Sequence, residues 1–150
     1  MQKFQATRGP MTPIKVACTD DEVRSCFCVM QQLRTNLVEE EFLQRVRLQA
    51  SSGYELALLE SEGHVCAVAG FRLIENLFTG RVLYVDDLVT DKAYRSRGHG
   101  RTLLDWLVTR ARGTGCKTLE LDSGVQRAEA HRFYLGSGMV ISSHHFRLEI

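Results

Sequence analysis

Apolar positions along the chain follow two rhythms, and their order predicts the fold. Residues 14–18 (IKVAC) read as a short first strand. Val23, Phe27, Met30 and Leu33 then recur every three or four residues, the spacing of one helix face, with Thr19 and Asp20 as candidate N-caps for a helix running to 33. A second helix is predicted over 39–49, with an acidic start, Phe42, Leu43, Val46 and Leu48 apolar, and Ser51-Ser52-Gly53 as its stop. Strands follow at 54–60, 65–74 and 81–90. Gly63 supplies hairpin chemistry in the turn at 61–64, Gly70 marks a possible bulge, and 75–80 form a loop. Leu103, Leu104, Leu107, Val108 and Ala111 return to helical spacing up to 112, where Gly113-Thr114-Gly115 intervenes. A strand at 117–122, a helix at 126–135 closed by Gly136-Ser137-Gly138, and two last strands at 139–142 and 145–150 complete the chain. The order β-α-α-β-β-β-α-β-α-β-β sets hairpins beside crossover helices, so the expected fold is α/β with a mixed (α+β) sheet. No repeat or low-complexity stretch interrupts it. Residues 1–13 read as a flexible leader before one domain at 14–150.

Composition narrows the function classes. The length of 150 residues suits one core, and 44% apolar with 25% charged residues is ordinary for a globular protein. A net charge of +1 argues against a nucleic-acid partner. No apolar run approaches a membrane span, and the leader lacks the apolar region of a secretory signal, so the expectation is a cytoplasmic protein without a membrane partner. The five cysteines are odd in number and form no C-x-x-C pair; they read as reduced, small apolar residues. Without an H-x-x-x-H pair or a Cys/His cluster, no metal is expected.

Chemistry concentrates where a strand gives way to a helix through the basic, glycine-rich loop Arg95-Ser96-Arg97-Gly98-His99-Gly100, followed by Arg101 and Thr102. Gly98 and Gly100 permit a tight turn and close backbone approach, and the free amides of the first helical turn favour a phosphate group. The loop is neither GxxxxGK(S/T) nor GxGxxG. Its pattern R-x-x-G-x-G, Arg95 through Gly98 to Gly100, resembles motif A of the GNAT superfamily of N-acetyltransferases, written (R/Q)-x-x-G-x-(G/A). The preceding VDDLVTDKAYR looks like that family's fourth strand. In the second stretch, residues 121–139, Ala130, Tyr134, Gly138 and Met139 match N-x-x-A-x-x-x-Y followed by G-(F/M), with Arg127 in place of the asparagine.

The resemblance implies the GNAT fold, with two central strands splayed beyond the loop, and an acetyl-CoA-dependent transfer to an amine. It implies that the loop from Arg95 to Thr102, His99 included, cradles the pyrophosphate. The edge Leu88-Val89-Thr90 would hydrogen-bond the pantetheine arm, and Ala130 and Arg127 would lie beside the cofactor; Arg127 either pairs with a phosphate or caps its helix. Tyr134 would protonate the departing thiolate. The amine must lose a proton, and Asp86 and Asp87 are the candidates: Asp87 is favoured, acting through water, with Asp86 binding the substrate cation or sharing the role. Strand alternation puts them on opposite faces, but a bulge common at this point in the family leaves that open. A backbone N–H near Leu88 would polarise the thioester carbonyl. Ala130 to Leu135, Gly138 and His145-Phe146-Arg147 make the tail similar to that of aminoalkylphosphonate N-acetyltransferases, which implies a small amine, with Asn36, Arg72, Glu75, Asp86 and His131 as substrate-facing candidates. The competing readings are a non-catalytic acetyl-CoA-binding module, acetylation of a protein amine, or a nucleotide-binding protein using the same loop. A homodimer through the C-terminal strands is a further expectation.

Overall fold

The computed structural model describes residues 13–150, so the expected leader lies outside them except for Pro13. One sheet runs in the order β1-β2-β3-β4-β5. Its strands are β1 (Ile14–Val16), β2 (Glu55–Ser61), β3 (His64–Asn76), β4 (Gly80–Thr90) and β5 (Thr118–Leu121). The first four pair antiparallel and β4 pairs parallel to β5, which makes the sheet mixed, as the element order requires. The helices are α1 (Asp20–Ser25), α2 (Phe27–Leu33), α3 (Glu39–Ala50), α4 (His99–Gly113) and α5 (Ala128–Gly136).

Both faces of the sheet are covered, which is why its central strands read as continuous apolar runs rather than alternating ones. Alternation survives in where each residue points. Leu56 and Leu58 pack with Val23, Phe27, Met30, Phe42 and Val46 of α1–α3. Ala57 and Leu59 pack on the other face with Leu103, Leu107 and Ala111 of α4. The β2–β3 turn puts Glu62 (φ 52) and Gly63 (φ 77) in the left-handed region, the geometry of a two-residue hairpin. The β3–β4 hairpin is tighter than the loop expected at 75–80, because pairing continues to Asn76 opposite Gly80. The Asn76 side chain accepts the Thr79 amide at 2.7 Å across that tip.

Two expectations need correction. The helix predicted to run unbroken to 33 divides at Cys26. There the Cys26 amide turns back to the Val23 carbonyl (3.1 Å), while the Glu22 carbonyl is taken by the Ser25 hydroxyl (2.7 Å) and the Cys26 thiol (3.3 Å). Side chains thus replace the backbone donor that would have carried the helix through. The strands expected at 139–142 and 145–150 do not form; that segment has no regular secondary structure and is largely exposed. Alternating apolar residues favour a strand, but a strand exists only where a neighbouring edge takes its hydrogen bonds, and the segment pairs with none here.

Candidate active site

β4 and β5 pair only from Val82 opposite Thr118 to Val85 opposite Leu121. From Asp86 to Thr90, β4 runs on without that neighbour; the Asp86 carbonyl accepts from Arg34 Nη2 at 2.7 Å, and beyond it the edge has no strand beside it. This is the splay that the loop motif implied. The chain then turns under local control: the Asp91 amide bonds the Cys66 carbonyl at 2.8 Å, and the Asp91 carboxylate accepts from Ala93 N–H (3.0 Å) and Gln32 Nε2 (3.2 Å). Gln32 Oε1 accepts the Lys92 amide at 2.9 Å, so one side chain of α2 grips the loop entrance twice.

After a 3₁₀ turn (Lys92–Tyr94), Ser96 (φ 62) and Gly98 (φ 82) both take the left-handed conformation. A non-glycine residue held at positive φ is a local strain of the kind found at ligand loops. Gly98 is the N-cap of α4 and offers no side chain to the helix end. Its carbonyl takes the Thr102 amide (3.0 Å) and hydroxyl (2.9 Å). The amides of Arg97 to Arg101 have no acceptor among the described residues. Unsatisfied amides at the positive end of a 15-residue helix make an anion site. Gly100 lets the loop sit close: a Cβ there would lie 3.2 Å from Thr90 Oγ1 and 3.7 Å from the Phe133 ring of α5.

Loop, strand edge and α5 enclose a cleft of about 810 Å³. Its walls include Leu88, Val89, Thr90, Arg95, Ser96, Gly98, His99, Gly100, Arg101, Arg127, Ala130 and Tyr134, all expected to face the cofactor or the reacting thiol. Arg97 and Thr102 are placed otherwise. The Arg97 guanidinium stacks 5.2 Å over the Tyr94 ring, and the Thr102 hydroxyl is spent on Gly98. Gln126 and Phe133 line the cleft although the sequence reading passed over them. Burial pushes the Tyr134 phenol above its ordinary pKa, with Arg127 opposing, so it stays protonated at neutral pH.

A second cavity, about 320 Å³, holds Asp86 and Asp87 together with Asn36, Arg34, Arg45, Gln49, Tyr54 and Tyr84. Gly70 lies opposite Asp87 and Phe71 opposite Val85, which leaves Asp86 as the extra residue of a bulge. The bulge cancels simple alternation and turns both carboxylates into one cavity. Asp87 is engaged on both oxygens: Oδ1 accepts from Arg34 Nε at 2.7 Å, and Oδ2 from the Tyr54 hydroxyl at 2.8 Å. Asp86 Oδ2 accepts from Arg72 Nε at 2.9 Å, and its Oδ1 has no partner among the described residues. Burial, with the Asp87 charge next, raises the pKa of Tyr54. Tyr84 donates to Asp122, and burial together with that carboxylate raises its pKa too. Arg34, Tyr54 and Tyr84 went unnoticed in the sequence because each meets its acid across the fold, without local spacing. Arg72, Glu75 and His131 line neither cavity: Arg72 is held by Asp86 and Gln49, Glu75 pairs with Arg81 near the hairpin tip, and His131 Nε2 lies 2.8 Å from the Gly124 carbonyl.

Residues 20–139 match the acetyltransferase (GNAT) family. The chain belongs to that family. This GNAT protein is 36% identical over 140 residues to the uncharacterized N-acetyltransferase YhdJ of Bacillus subtilis, covering 91% of this chain and 98% of that one. It is 29% identical over 143 residues to the aminoalkylphosphonate N-acetyltransferase of Salmonella typhimurium, covering 92% and 90%. Its fold superposes on aminoglycoside N-acetyltransferase AAC(6')-Iy, solved in complex with CoA, with a TM-score of 0.81 at 11% identity over 97% and 99% of the two chains. It is therefore an N-acetyltransferase, and the acetyl donor of its family is acetyl-CoA. The lining fits a phosphate-bearing donor in chemistry: unsatisfied amides and Arg95 line the cleft beside a strand edge without a neighbouring strand, and Arg101, also on the lining, pairs with Asp105 at 3.0 Å. Among the described residues no cluster of metal-ligating side chains occurs, and no helix is long and apolar enough to cross a membrane.

Proposed function

We propose that this acetyltransferase moves the acetyl group directly to a primary amine of a small molecule, with donor and acceptor bound at once. One observation carries the reading: the two cavities meet on consecutive residues of one strand. Asp86 and Asp87 line the smaller cavity, and Leu88, Val89 and Thr90 line the larger. At about 3.3 Å of rise per residue, the acids and the bare edge are within reach of a single reacting centre.

The donor supplies a thioester that an uncharged amine attacks. A primary ammonium has a pKa of about 10.4, so it arrives protonated and must lose a proton first. The Asp86 and Asp87 carboxylates favour its entry. Asp86 keeps an unpartnered oxygen to receive the proton, directly or through water, while Asp87 is held by Arg34 and Tyr54 and sets the shape of the pocket. Unpaired N–H groups along 86–90 are available to the carbonyl oxygen as charge develops on it. Across the strand, the protonated Tyr134 phenol supplies a proton to the leaving sulfur.

The acceptor carries an anionic group besides its amine. Arg34 and Arg72 already balance the two acids, and Arg45 lines the cavity without an acidic partner among the described residues. The aminoalkylphosphonate N-acetyltransferase relative is named for a substrate of that chemistry. The cavity's size favours a small molecule over a protein amine. The test is thiol release from acetyl-CoA with an amine panel. Amines bearing phosphonate, phosphate or carboxylate should outpace polyamines, and Arg45→Ala should raise KM for them. Tyr134→Phe should lower kcat by about 10²-fold, and Asp86→Asn should lower kcat by a similar factor. Faster turnover of polyamines would overturn the acceptor assignment, and full activity in both variants would overturn the roles.

A further inference from the structure

The edge that lines both cavities, Asp86 to Thr90, has β3 on one side and, among the described residues, no strand on the other. A stretch that has lost one neighbour needs other contacts to hold its course. Two side chains from the end of α2 supply them. Gln32 lies in the last turn, and Arg34 is the C-cap residue, whose amide closes the helix on the Met30 carbonyl at 2.9 Å. Residues two apart on a helix do not face one another, so these side chains diverge. Arg34 takes the start of the edge, through the Asp86 carbonyl and the Asp87 carboxylate, each at 2.7 Å. Gln32 takes the residues just past its end, through Asp91 Oδ1 at 3.2 Å and the Lys92 amide at 2.9 Å. From Asp87 to Asp91 is about 13 Å of extended chain. The helix is itself anchored between the two grips, since Met30 and Val89 share one buried cluster.

The Arg34 grip fixes two things at once. A guanidinium is a rigid planar fork. Its Nε and Nη2 hold a carboxylate oxygen and a backbone oxygen in one relation. The peptide between residues 86 and 87 is planar, so a held carbonyl also fixes the Asp87 N–H on its opposite side. The bulge residue and the carboxylate after it therefore cannot turn independently. The Arg34 side chain is 48% exposed and that of Asp87 12%, so the fork reaches in from solvent.

We propose that Arg34 and Gln32 are positioning residues for acetyl transfer: the end of α2 is a strut that holds the reacting edge at both ends, keeping the two acids and the glycine-rich loop at one spacing. The inference rests on the reaction proposed along Asp86 to Thr90.

Turnover is measured with the panel amine that the wild type acetylates fastest. Arg34→Ala should lower kcat by roughly ten-fold or more, since a displacement of about 1 Å can cost 10²-fold. Its coenzyme A binding by calorimetry should stay within about two-fold of the wild type's. Millimolar guanidinium, far below denaturing concentration, should restore part of that kcat by refilling the half-exposed place of the fork. Arg34→Lys keeps the charge without the fork and should stay slow. Gln32→Ala should weaken coenzyme A binding, and the double variant should lose less turnover than the product of the single losses. Arg47→Ala removes a like grip, on Asp20 and the Cys18 carbonyl, from residues that line neither cavity, and should leave kcat unchanged. An unchanged kcat in Arg34→Ala overturns the strut, as do a loss that guanidinium does not touch, unaltered coenzyme A binding in Gln32→Ala, and single losses that simply multiply. Slow turnover in Asp86→Asn beside a fully active Arg34→Ala would do so while leaving the proposed reaction intact. Full activity in both would remove that reaction as well.

Discussion

Gly70 has no room for a side chain. A Cβ there would overlap the Tyr54 phenol and lie 2.5 Å from Asp87 Oδ2. Tyr54 is 5% exposed and cannot swing aside, so Gly70→Ala must break the Tyr54–Asp87 bond. Overpacking of this kind costs about 1–3 kcal/mol, and the variant should unfold at lower urea while losing activity beyond what stability explains. An unchanged rate would remove Asp87 from the site. The sequence marked Gly70 as a possible bulge and the aspartates as the reacting acids, yet it said nothing of Arg34 or Tyr54, because partners separated by 53 and 33 positions leave no periodic trace. The cysteines show the same division. Cys26 is fully buried and its thiol is pushed up to about 12 by that burial, and buried Cys66 is raised as well, whereas Cys18 and Cys28 are exposed. Maleimide should label Cys18 and Cys28 quickly in the folded protein and leave Cys26 and Cys66 untouched until denaturant is added. Rapid labelling of Cys26 would show that the α1–α2 junction opens.

Element boundaries were legible where a cap or a glycine sits and blurred where a side chain intervenes. Thr19 and Glu22 form a reciprocal capping box at the start of α1: the Thr19 hydroxyl accepts the Glu22 amide at 3.2 Å, and the Glu22 carboxylate accepts the Thr19 amide at 3.1 Å. The Thr19 and Cys18 amides, with Lys15, hold the Glu22 pKa down from 4.5 to about 2. A carboxyl depressed in the folded state stabilises above its unfolded pKa, and the contribution is lost as pH falls through the folded value. Glu22 therefore withdraws support between about pH 4.5 and 2. Glu22→Gln keeps an acceptor but not the charge, so its urea midpoint should vary less over that window than the wild type's. Parallel curves would mean that the cap carries no charge-dependent stability. The glycine-rich loop before α4 follows the same logic of element ends. Gly98→Ala forces a Cβ into the left-handed region at a cost of about 1–2 kcal/mol. Calorimetry should show coenzyme A binding weakened by roughly ten-fold, with secondary structure retained.

At the scale of the molecule, the motif residues come together around the larger cleft because they are local. One loop and one helix start supply most of the wall, and glycines reveal both. The smaller cavity was only half legible, since α2, the loop after it, α3, Tyr54 and β4 must come together to form it. The last two strands were misread for a related reason: alternation records a residue's preference, while a strand forms only against a neighbouring edge, and the tail pairs with none among the described residues. The donor cleft spans the split between a well-packed body and a thinly covered C-terminal region, so ligand binding should couple the two. At a hundred times its dissociation constant, coenzyme A should stabilise the protein by about 2.7 kcal/mol. Hydrogen exchange should slow at 88–90 and 97–102 in the body, and equally at 127–134 in α5. Protection confined to the loop would show that α5 takes no part in holding the donor, and Tyr134 would then stand too far from the thioester to assist it.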